Sequence, residues 1–212
     1  MSRKKSQKIK DVVQFQNVFT GYEKNIGQSL TAYFGNEKPY TLEIGCGYGE
    51  YTVEMARLYP ERNFVGIDFK GARVYSGAKS SIELNLINAA FIVGGAEKLN
   101  EIFPSNSVEE IFLPFPDPHK TRTSSRRLVN QNFLNIYKNI LQENSRVHLK
   151  TDNEELYLFT LEVLKSESFT IHYSTADLYS ENALDNDLLI QTRYEKQYLS
   201  EGKKIKYICF GR

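Results

Sequence analysis

The sequence contains no tryptophan and only two cysteines among its 212 residues. Cys46 and Cys209 lie far apart and match no metal-ligand spacing, so no metal site is expected and a reduced, intracellular setting is the simplest one. No apolar run approaches the roughly 20 residues needed to span a bilayer. The basic N-terminus is not followed by a signal-peptide core. A soluble, cytoplasmic protein with no membrane partner is the expectation. An excess of one charge sign is missing as well. Lys plus Arg total 27 against 26 Asp plus Glu, so net charge alone announces no nucleic-acid partner, although a local patch is compatible with it. Proline is scarce, with six in the chain. Three of them, Pro114, Pro116 and Pro118, alternate within "IFLPFPDPHK" at the end of an apolar run, with Asp117 between the last two.

The rest of the composition, 41% hydrophobic and 25% charged, is that of an ordinary globular chain with one sizeable core. Charge is unevenly spread. Arg3, Lys4, Lys5, Lys8 and Lys10 make the start basic, and Lys120, Arg122, Arg126 and Arg127 follow the proline turn. Residues 1–18 read as a basic, flexible tail and 19–212 as one domain. Short apolar runs alternate with helical stretches, which argues for parallel strands joined by crossover helices. Strands are expected near 40–45, 63–68, 89–93, 108–113, 145–150, 169–173 and 205–210. Helices are expected near 49–59, 72–86, 127–141 and 153–165, with Leu156, Phe159 and Val163 on one face of the last. The fold class is α/β, a doubly wound Rossmann-like sheet of seven strands. Residues 174–200 are poorly patterned and read as loop with short helices.

The first of these strands runs into "LEIGCGYGE", with Glu43, Gly45, Gly47 and Gly49 at alternate positions where a helix should begin. Glycines there let the backbone turn sharply and let a ligand come close. A dinucleotide fingerprint would place its third glycine at position 50, where this chain has Glu50, and a pyrophosphate would be repelled by it. An acid two residues before the first glycine suits a cationic ligand. Asp68 ends the second expected strand, where a carboxylate can accept both hydroxyls of a ribose.

This E-x-G-x-G-x-G pattern with an acid on the next strand resembles the class I S-adenosylmethionine-dependent methyltransferases. "FPDPHK", "HLKTDN" and "TRYEKQY", in that order, resemble the bacterial tRNA (guanine-N7)-methyltransferase family over roughly residues 19–210. The resemblance implies S-adenosylmethionine as cofactor, tRNA as partner with no obligatory protein partner, and transfer to N7 of a guanosine in the variable loop. It assigns the cofactor to Glu43, Gly45, Gly47, Asp68, Gly95, Ala96 and Asp117. Family members usually carry Asp or Asn where this chain has Gly95, which leaves the adenine contact to backbone groups or weakens it. Many carry tryptophan after the second proline of the turn, where this chain has His119. Phe115, His119 and Tyr194 are the candidates to stack on the target base in its place. The substrate side falls to Lys120, Arg122, Arg126 and Arg127 as phosphate contacts, and to Asp152, Thr192, Arg193, Tyr194 and Glu195, with Asp152 and Glu195 on the guanine N–H edge.

These residue types suit the chemistry. Guanine N7 carries an unprotonated lone pair on the base edge, so it needs no general base to attack an electrophilic methyl. A fixed carboxylate, Asp117, is the candidate to stabilise the purine cation that develops. Three rivals remain at this level: a tRNA-binding protein without catalysis, amino-group methylation on a similar turn and, more distantly, an NAD-dependent oxidoreductase.

Overall fold

The computed structural model describes residues 3–167, 169–181 and 184–211. Its sheet has eight strands, one more than the seven expected. They are β1 (Val18–Thr20), β2 (Tyr40–Ile44), β3 (Asn63–Asp68), β4 (Ala89–Val93), β5 (Val108–Pro114), β6 (Leu141–Thr151), β7 (Thr170–Thr175) and β8 (Lys206–Gly211). Their spatial order is β1-β4-β3-β2-β5-β6-β8-β7. Pairing is parallel from β1 through β6, and β8 runs antiparallel between β6 and β7. All seven expected strands are present. The addition is β1, three residues set in parallel register on β4 from Val18 opposite Phe91, too short to show an alternating pattern.

The helices are α1 (Arg3–Val12), α2 (Ile26–Phe34), α3 (Glu50–Leu58), α4 (Gly71–Glu83), α5 (Leu99–Ile102), α6 (Gln131–Ile140), α7 (Glu154–Ser166), α8 (Asn186–Leu189) and α9 (Arg193–Ser200). Successive strand residues face opposite sides, and the core divides accordingly. Val65 and Ile67 of β3 pack on one side with Leu30 of α2 and Leu134 of α6. Phe64, their neighbour, packs on the other with Tyr51 and Met55 of α3. Near-continuous burial of β2 to β4 is what a parallel strand covered on both faces requires.

The basic start of the chain departs from the tail expected of it. Residues 3–12 form α1, whose Val12 is 1% exposed and clusters with Val74 of α4. Lys8 lies over the Tyr75 ring at 5.2 Å. Residues 1 and 2 of that expected tail lie outside the described residues.

Chain order reverses direction at β2, which has β3 on one side and β5 on the other. The crevice outside the carboxyl ends of β2 and β5 is the switch point where ligands bind in open α/β sheets. Both motifs singled out above end there, the glycine turn after β2 and the proline turn after β5.

Candidate active site

Gly45, Gly47 and Gly49 have φ of 77°, 55° and 70°. A side chain in that region costs about 1 kcal/mol or more, so alternate glycines make this turn accessible. The N–H groups of Gly45 and Cys46 both donate to Ile67 O, at 2.8 and 3.0 Å. Gly47 N–H donates to Asp68 Oδ2 at 3.0 Å, and Lys70 N–H donates to Oδ1 at 2.7 Å. The turn is thus tied to the end of β3, and Asp68 is held by two backbone donors. Glu43 is buried, and its Oε2 accepts from both the N–H and the hydroxyl of Thr52 in the first turns of α3. Burial pushes its carboxyl from 4.5 up to about 8, against the downward pull of the Thr52 hydrogen bonds. Its Oε1 accepts no hydrogen bond among the described residues.

The proline turn is strained and clamped. Phe115 and His119, on either side of Asp117, have φ of 55° and 39°. Left-handed conformations at such residues cost on the order of 1–3 kcal/mol each and persist where the surroundings over-determine them. Phe115 N–H donates to Lys150 O at 2.8 Å. The Arg127 guanidinium donates to Pro118 O at 2.6 Å and to His119 O at 2.7 Å, pairs with Glu155 at 2.6 Å, and lies 4.4 Å over the Phe159 ring. Asp117, between these two fastenings, is exposed.

The two turns enclose a cavity of about 470 Å³, within the usual range for a small-molecule cofactor. Every residue expected on the cofactor side lines it: Glu43, Gly45, Gly47, Asp68, Gly95, Ala96 and Asp117. With Glu50 and Glu97 the lining holds five carboxylates, and these with a glycine-lined wall fit a ligand that carries positive charge and hydroxyl groups. A neighbouring groove of about 730 Å³ shares Tyr48 and Glu50 with this cavity but touches none of Glu43, Asp68 and Asp117. The smaller cavity is therefore the candidate site.

The substrate-side residues divide. Arg126, Thr192 and Tyr194 line the cavity, as do Phe115 and His119. Thr192 also caps α9 by accepting from Glu195 N–H. Lys120 and Arg122 are exposed just beyond the turn. Arg127, expected to meet a phosphate, is 1% exposed and already engaged with backbone carbonyls, so it clamps the turn instead. Glu195, expected on the guanine edge, is 0% exposed and paired with Lys150 at 3.0 Å. Lys150 Nζ also donates to Leu188 O at 2.7 Å and Ile190 O at 3.1 Å, fastening α8 and α9 beneath the cavity. Burial pulls the Lys150 ammonium down, and the Glu195 carboxylate opposes that. Asp152 pairs with Lys203 at 3.0 Å. Arg193 pairs with Glu50 at 2.8 Å and stacks 3.6 Å over Tyr48, so it braces the glycine turn from outside. Sequence reasoning missed Thr52, Lys150 and Glu97. Lys150 sits within the quoted "HLKTDN", but nothing local marks its partner 45 residues on.

A sheet parallel from β1 through β6 with an antiparallel β8 in this strand order, an acid-flanked glycine turn at its switch point and a second acid on β3 define a class I S-adenosylmethionine-dependent methyltransferase. A family described as "Putative methyltransferase" matches residues 37–208. The tRNA (guanine-N(7)-)-methyltransferase of Christiangramia forsetii is 41% identical, covering 99% of this chain and 98% of that one. The protein of the same name from Porphyromonas gingivalis is 42% identical over 87% of this chain and 76% of that one. The chain belongs to the tRNA (guanine-N(7)-)-methyltransferase family. Among solved structures, an S-adenosylmethionine-dependent methyltransferase from Aquifex aeolicus shares the fold, with TM-score 0.56 at 15% identity over 96% of both chains.

Proposed function

We propose that this chain methylates N7 of a guanosine in the variable loop of tRNA and that Asp117 is the residue closest to the reacting base. S-adenosylmethionine, when bound, supplies a methyl group carried on a positively charged sulfur. Asp68 would accept the ribose hydroxyls through its remaining lone pairs, and Glu43 would offer Oε1 to the cationic end. The observation that carries the reading is the convergence of the clamped proline turn with the glycine turn on one cavity, which sets the Asp117 carboxylate at its wall before any substrate arrives. Positive charge moves onto the purine during transfer, and a preorganised carboxylate lowers the energy of that state. Removing one such group costs on the order of 3 kcal/mol, roughly a few hundredfold in rate. Lys120, Arg122 and Arg126 hold phosphates beside the mouth. Phe115, His119 and Tyr194 offer the apolar and aromatic surface against which a base can stack.

The test is to incubate the protein with unmodified tRNA and labelled cofactor, then map the methylated nucleotide. A label at a guanosine N7 in the variable loop is expected, and label at another position or atom would refute the assignment. Asp117→Ala should lose a few hundredfold in transfer rate while retaining cofactor binding in part. Full activity in that variant would remove the role. A tRNA-binding module without catalysis is not favoured, because the cofactor-side lining is complete.

A further inference from the structure

Glu97 is the second residue of the short helical turn after β4 (Ala96–Lys98) and lines the cavity, yet its carboxylate accepts no hydrogen bond and joins no ion pair among the described residues. The carboxylate folds back over Gly95. A Cβ built on Gly95 would collide with both carboxylate oxygens of Glu97. Gly95 has φ −93° and ψ 150°, extended backbone open to any residue, so the conformation does not call for glycine there. What the missing side chain provides is room, and the Glu97 carboxylate fills it.

We propose that Glu97 accepts the exocyclic amine of the cofactor's adenine, from the space that a side chain at position 95 would otherwise occupy. It is a specificity-determining residue for the base of the cofactor. An acceptor in that space favours a ring bearing an N–H donor at its 6-position and disfavours one bearing a carbonyl, because two acceptors would face each other. Glu97 is exposed in the open cavity, and a hydrogen bond to a charged acceptor there is worth roughly tenfold in affinity.

The inference rests on S-adenosylmethionine occupying this cavity, and binding by calorimetry without tRNA tests it independently of methyl transfer. The two probes are S-adenosylhomocysteine and its inosine counterpart, which differ at the 6-position and in the proton that the 6-oxo ring carries on N1. Both lack the sulfonium and share the same ammonium-bearing end, so a general effect of the Glu97 charge on a cation acts on the two alike. The unaltered protein should bind the adenine form at least about tenfold more tightly than the inosine form. Glu97→Ala should weaken the adenine form roughly tenfold and leave the inosine form unchanged or improved. Glu97→Gln, whose amide can accept from an amine or turn to donate to a 6-carbonyl, should lose most of the preference. Combining Gly95→Asp with Glu97→Ala should restore it, since the new carboxylate enters the vacated space. Equal loss for both probes in Glu97→Ala, or no loss for either, would overturn the proposal while leaving the cofactor reading intact. Failure of the unaltered protein to bind either probe would overturn both.

Discussion

Replacing Arg127 with lysine separates two roles that one cationic residue beside a nucleic-acid site can have. The guanidinium makes charge-assisted hydrogen bonds to Pro118 O and His119 O, each worth about 1.5–3 kcal/mol when the donor is ionised. A lysine ammonium lacks the planar fork and can keep one of the two. Its third partner, Glu155, is exposed, and surface pairs contribute little. The expected loss is therefore about 2–3 kcal/mol, or roughly 5–10 °C in Tm for a domain of this size. Freed from the clamp, His119 can relax from its left-handed conformation and take Asp117 with it, while Phe115 stays fastened to Lys150 O. The transfer rate should fall at least tenfold, with S-adenosylhomocysteine affinity nearly unchanged, because Glu43 and Asp68 are fastened independently. The assays are thermal unfolding, single-turnover methylation and tRNA binding across a salt series. A phosphate contact behaves differently: lysine would serve almost as well, Tm would hold, and removing the charge altogether with Arg127→Met would lower the salt slope of tRNA binding by about one. That second pattern would refute the clamp.

Glu43 gives the apo protein a pH dependence. Its carboxyl is raised from 4.5 to about 8, so between those values the folded chain holds a proton that the unfolded chain does not. The stability this contributes is complete below about pH 4.5 and is lost as pH rises through about 8, by at most several kcal/mol. Urea titrations at pH 5 and pH 8.5 should show that decline, and Glu43→Gln should flatten it; an unchanged decline in the variant would place its origin elsewhere. Glu110, lowered to about 2 with His148 and Arg62 as its favourable partners against burial, acts in the acid range and does not overlap this window. For the buried Lys150 and Glu195 pair, removing one partner leaves an uncompensated charge. Glu195→Leu or Lys150→Met alone should cost about 3–5 kcal/mol, and the double variant should cost less than the sum. Additive losses in a double-mutant cycle would show that the two side chains do not couple.

The sequence by itself determined seven of the eight strands and the two turns that meet at the cavity, because both rest on patterns local in the chain. Seven apolar runs alternating with helical stretches imply a parallel sheet. Three glycines at alternate positions imply a turn that only glycine enters easily, and the acids on either side follow at fixed strand-end offsets. Tertiary structure decided the charged residues. Arg126 and Arg127 are neighbours in a basic run, yet one faces the cavity and the other is buried under the proline turn, a difference set by α7 and its Phe159 and Glu155. Glu195 reads as a polar loop residue until β6 brings Lys150 beneath it. Helix α1 was hidden because lysines outnumber the few apolar residues that dock it on α4. A charge in sequence has no stated partner or degree of burial. Both arise when segments far apart in the chain pack together, so they could be known only from the folded molecule.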